Sequence, residues 1–141
     1  MGGRAAGAEA ALAGRSQVGR LRLAPPSRVS YLNRLETLLK QSNPRLRVTH
    51  QLEFKNFFGA VTGYVDGHIF VSCGKFGVAL RLPPETLAEL FRDEDVSLLR
   101  YFPKGHVKRA YAVVPQRMMD DRGRFQRLVE TSVQYALSMS R

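Results

Sequence analysis

Few residues in this chain of 141 have the types and spacing of catalytic chemistry. His50, His68 and His106 lie in separate segments, and no two share the spacing of a metal-binding pair. Asp66 and His68 have the types of an orienting carboxylate and a base. Asp66-Gly67 is also a tight-turn dipeptide, and a turn aspartate needs no catalytic explanation. Cys73 is the single cysteine, between Ser72 and Gly74. A reactive thiol needs a nearby cation or helix N-terminus, and these neighbours supply neither, so an inert thiol is expected. Asp93-Glu94-Asp95 could approach a hard cation, but the run lacks the ligand alternation and turn glycine of a calcium loop. A solvated polar loop is the plainer reading. Gly59, Gly63, Gly67, Gly74 and Gly77 match neither a dinucleotide-binding nor a P-loop spacing. No catalytic residue, metal or cofactor is therefore expected, and the chain reads as non-enzymatic.

Binding chemistry is better represented. Arg100, Lys104, His106, Lys108 and Arg109 form the most basic stretch outside the N-terminus, interleaved with Tyr101, Phe102 and Tyr111. Cations neutralise phosphates and rings stack on bases, so this pattern has the chemistry of a weak nucleic-acid surface. The competing reading is an exposed hairpin whose aromatics alternate into the core. The formal charge of +10 favours anionic partners in general. Five arginines and one glutamate lie in residues 1–29, so part of that charge belongs to the N-terminus rather than to the hairpin.

These residues need elements to hold them. Ala60–Val65 and His68–Ser72 read as strands joined by Asp66-Gly67, a strong hairpin signal. Gly74-Lys75-Phe76-Gly77 forms a second turn, and Val78–Leu82 alternates as a third strand. Before them, Arg45–Phe54 alternates and reads as a strand. Ser30–Ser42 is a helix, with Tyr31, Leu32, Leu35, Leu38 and Leu39 in one stripe and Asn43-Pro44 as its stop. Pro83-Pro84-Glu85-Thr86 opens a second helix. Val96–Tyr101 and Val107–Val114 make a hairpin, and Met118–Arg122 a polar link. Phe125–Met139 is the closing helix, with apolar residues at 125, 128/129, 132/133 and 136/137. Phe57, Phe58, Tyr64, Phe70 and Leu80 are expected to anchor the core or its edge.

The order predicts an α+β fold. It has two layers, an antiparallel meander plus hairpin with helices packed on one side. Met1–Ser27 is rich in Ala, Gly and Arg, and residues 1–29 are set apart as a disordered tail from a domain of residues 30–141. No window approaches the ~18 apolar residues of a membrane helix. One cysteine fits a reducing compartment, so a cytoplasmic location is expected.

Several segments then show a resemblance in unbroken order. Lys55-Asn56-Phe57-Phe58-Gly59-Ala60 resembles the Met-Phe-Gly-Gly opening of the TfoX/Sxy N-terminal domain family. Gly63-Tyr64-Val65-Asp66-Gly67-His68-Ile69-Phe70 resembles that family's Gly-x-Tyr/Phe-x-Asp/Asn-Gly-x-Met/Phe hairpin. Val78–Leu82 is similar to its next strand, with Arg81 at a position where Lys or Arg is common. Tyr111-Ala112-Val113-Val114-Pro115 is similar to its aromatic strand ending in proline. The departures are Ala60 for a glycine, Phe57 for a methionine and Val133, or a neighbour, for a helix tryptophan. The resemblance implies a two-layer fold similar to secretion-chaperone domains. It also implies a bacterial regulator of competence for DNA uptake, acting through a transcription-regulator partner, and it supplies no catalytic residues. The chain ends where that family's first domain ends, so a stand-alone version is expected. Its partner would be a protein, held on the sheet face or an exposed edge, with a homodimer as a further possibility and nucleic acid as the alternative.

Overall fold

In a computed structural model, residues 28–139 are described. The stretch 1–27, expected to be a tail, lies outside the described residues. Arg28 and Val29, assigned to that tail, instead form the first turn of helix α1, Arg28–Ser42. Helix α2 is Leu46–Thr49, followed by β1, Leu52–Phe57; β2, Ala60–Val65; β3, His68–Gly74; and β4, Gly77–Arg81. Helix α3 is Pro84–Leu90, then β5, Ser97–Leu99; β6, Lys108–Val114; α4, Gln116–Asp120; and α5, Arg122–Ser138. The six strands form one antiparallel sheet in the order β1-β2-β3-β4-β6-β5. This is the expected α+β class. No described helix is long and apolar enough to cross a membrane.

Two-residue turns set the meander's register. Phe58-Gly59 and Asp66-Gly67 all have positive φ, at 49°, 78°, 48° and 87°. Paired positive φ values give the turn twist that matches the twist of the flanking strands. Asp66 is fixed further, because its Oδ1 accepts from the Gln51 N–H at 2.8 Å while its own N–H donates to the Gln51 carbonyl at 2.9 Å.

Register then assigns the faces. Val61, Cys73, Val78 and Val114 align across four strands, and Val71, Leu80 and Ala112 across three. These rows meet Leu35 and Leu39 of α1, Met118 of α4, and Phe125, Val129, Val133 and Ala136 of α5 in one core. Gly63 lets β1 and β3 close over β2: a Cβ there would lie 2.6 Å from Val71 Cγ1 and 3.2 Å from a Phe54 ring carbon.

A bulge adjusts this pattern. Gly63 pairs with Val71 but Tyr64 pairs with Ile69, so Phe70 is an extra residue in β3. Strict alternation would place Phe70 and Val71 on opposite faces; the bulge lets both enter the core, at 0% and 1% exposure. The Phe70 carbonyl is met by the buried Ser132 hydroxyl of α5, which donates to it at 2.7 Å.

Three expected elements are corrected. The strand proposed for Arg45–Phe54 begins at Leu52, and Leu46–Thr49 is helical. Only Leu46 of that turn is buried, Val48 lies in solvent, and the Thr49 hydroxyl donates back to the Arg45 carbonyl at 3.1 Å. Met118–Arg122, read as a polar link, holds most of α4, which buries Met118 and Met119. Val96–Tyr101, read as a strand, keeps only Ser97–Leu99, and Tyr101 leaves the sheet edge.

Candidate functional site

The face away from the helices carries the site. Thr62, Ser72, Ala79 and Val113 form one row across it. These are small side chains, and Thr62, Ser72 and Ala79 are nevertheless fully buried. The cover is aromatic. The loop between β5 and β6 folds back so that the Tyr101 hydroxyl donates to Ser72 Oγ at 3.1 Å. The small row forms a trough in which this ring lies.

Other rings gather around Tyr101. Phe57 meets it edge-on at 4.9 Å between centroids, and Phe76 at 5.5 Å. Phe58 packs edge-on against Phe57 at 4.5 Å and against Phe102 at 5.6 Å. Such edge-to-face contacts suit the quadrupoles of the rings. The outer members remain in water: Phe58 is 67% exposed, Phe102 48% and Phe57 39%. Phe57 and Phe58, expected at the core or its edge, therefore lie on the opposite face from the helix-covered core.

Phe58 combines exposure with an unusual backbone. A bulky residue at φ 49° is an outlier, because its Cβ crowds the neighbouring carbonyl at a cost of about 1–2 kcal/mol. Asn or Gly would take this turn position more comfortably. The chain thus spends both solvation and conformational energy to hold one phenyl ring at the tip of a hairpin.

The basic residues divide around this corner. Lys104, His106, Lys108 and Arg109 are exposed. Arg100 is exposed as well, but its guanidinium is held to its own loop, donating to the Gly105 carbonyl at 2.8 Å. Tyr101 and Tyr111 were expected as stacking rings, or as core residues by alternation. Both are half-buried on the far face. Burial raises the pKa of each phenol, that of Tyr111 from 10.0 to about 12. The exposed rings of the cluster are Phe58, Phe102 and Phe57. Phe76, a half-buried member of the cluster, escaped the sequence reading because turn positions follow no alternation.

The remaining candidates have structural partners. Asp66 is occupied by Gln51, away from any dyad with His68. Tyr64 stacks beneath the Lys55 ammonium, 4.7 Å from the ring centroid. The Arg81 guanidinium lies 5.8 Å from the Tyr135 ring centroid. Pro115 caps α4 in extended conformation. Asp93 and Asp95 both take the Arg117 guanidinium, and that hydrogen bond holds the Asp93 carboxyl below its ordinary pKa. Cys73 is buried, which pushes its thiol pKa up and opposes reactivity. Among the described residues, no three His, Cys, Asp or Glu side chains cluster to hold a metal.

Comparison with known proteins agrees with the motif order. The TfoX N-terminal domain family model matches residues 45–136. None of the curated proteins compared with the chain matches it.

Proposed function

The chain belongs to the TfoX N-terminal domain family, and from that premise we propose that it is a non-enzymatic regulatory or adaptor module. Its contact surface is the aromatic corner of Phe57, Phe58, Phe76, Tyr101 and Phe102, and its partner is a protein. The setting implied by the family is transcriptional control of DNA uptake through protein–protein contacts. The observation that carries this reading is Phe58, 67% exposed at φ 49°. Strained backbone at an exposed site gains meaning when something else uses the residue. Aromatic anchors with few rotatable bonds are the side chains that carry binding energy at protein interfaces.

A second reading rests on Lys104, Lys108 and Arg109, exposed on the same hairpin as Phe102. Phosphate contacts there with base stacking on Phe58 or Phe102 would bind a single strand. The two readings separate by capture from native lysate with and without nuclease. The protein reading expects Phe58→Asn with Phe102→Ser to abolish capture of a nuclease-resistant partner, while charge reversal to Glu at 104, 108 and 109 leaves it. Capture that disappears with nuclease and with the charge reversal supports the nucleic-acid reading instead.

A further inference from the structure

We propose that β1 is a self-pairing edge: it joins β1 of a second copy, antiparallel and centred on Phe54, so that two six-stranded sheets become one. The two edges of the sheet differ. On one side β5 has only three residues and a register break; on the other β1 has six residues in unbroken register. Long regular edges invite pairing unless they are guarded.

Register fixes which backbone groups are free. Phe57 and Ala60 close the two-residue turn, so Phe57, Lys55 and Glu53 bond to β2. The Gln51 carbonyl and Lys55 carbonyl, accepting from Asp66 N–H and the Thr62 hydroxyl, point the same way. Leu52, Phe54 and Asn56 therefore direct N–H and C=O outward. Antiparallel self-pairing must oppose outward residues to each other, which puts the two-fold centre on a single residue of β1 and excludes any centre between two residues. Centring on Phe54 sets Leu52 against Asn56 of the other copy and forms about six backbone hydrogen bonds. It also places Glu53 opposite Lys55 twice, at the closely spaced positions where side chains meet. Every other centre opposes neither charge to its complement, and centres on Glu53 or Lys55 set like charges against each other. Glu53 makes no ion pair among the described residues. On the helix side, an open groove of about 360 Å³ lined by Val29, Leu32, Phe54, Asn56 and Val61 runs beside this edge. Val29 there is 68% exposed, and the paired Phe54 rings would cover this apolar surface. The two aromatic corners would then share one face, about 20 Å apart at the ends of the ladder.

The test is sedimentation of the full chain over a concentration series, with melting curves to confirm folding. Wild type is expected to show a monomer–dimer equilibrium. Glu53→Lys and Lys55→Glu should each raise the dimer Kd roughly tenfold or more, because each turns two attractive pairs repulsive. The double swap should restore it. Asn56→Pro removes an outward N–H that the chain itself does not use, and should dissociate the dimer without lowering Tm appreciably. A monomer at every concentration, or a dimer indifferent to all these changes, overturns the proposal.

Discussion

At the residue scale the chain spends most on Phe58. Its left-handed backbone costs about 1–2 kcal/mol, and its edge contacts return about 0.5–1.5 kcal/mol each. Phe58→Asn removes both, so melting should place the variant within about 1 kcal/mol of wild type while partner capture is lost. A large destabilisation would make the ring a structural member and remove the main reason for assigning it a partner. Tyr111 offers a second test. Its folded pKa is raised, so its contribution to stability is complete below pH 10.0 and is lost as pH rises toward about 12. Tyr111→Phe should therefore match wild type in a melt at pH 8 and exceed it at pH 11. The sequence alone gave a partial view of these residues. Asp66-Gly67 was readable as a turn because few residues tolerate its dihedrals. Phe58 was readable as a family position, but its side of the sheet was not, because the face of a turn residue depends on the loop that folds over it.

The elements show where periodicity suffices. Helix α5, 17 residues long, was legible because its apolar spacing repeats from Phe125 to Ala136. Helix α2 has four residues, too few for one period to be told from alternation, and Leu46 with Val48 imitated a strand. Helix α4 was obscured by Gln116 and Asp120 flanking two buried methionines. The bulge at Phe70 was not legible, because an extra residue reveals itself only through its partner strand. It explains Ser132, a polar residue in an otherwise apolar stripe: the hydroxyl meets a buried carbonyl at 2.7 Å. Ser132→Ala leaves that acceptor unpaired and should cost about 1–3 kcal/mol in denaturant unfolding. No loss would mean the carbonyl finds another donor.

At the scale of the whole molecule, one sheet has two different faces. The helices cover one with aliphatic side chains. On the other, aromatic rings cover a row of small residues and leave Phe57, Phe58 and Phe102 exposed. The fold class was legible because segment order and turn chemistry agreed. The second face was not, because it depends on the loop that folds back to set Tyr101 on Ser72. The charge of +10 is also divided, with four arginines in residues 1–27. Removing those residues should abolish any duplex DNA affinity at physiological salt, since phosphate binding scales with the cations engaged. Retained affinity, measured as salt-dependent binding of a chain beginning at Arg28, would assign phosphate contacts to Lys104, Lys108 and Arg109.

The most direct measurement is site-specific photo-crosslinking in the living cell, with benzoylphenylalanine replacing Phe102. A control probe replaces Gln126, exposed on α5 at the opposite face. If the aromatic corner is the docking site, position 102 yields a nuclease-resistant protein adduct that Phe58→Asn eliminates, and position 126 yields none. Adducts at 126 with none at 102, or nucleic-acid adducts alone at 102, would contradict it.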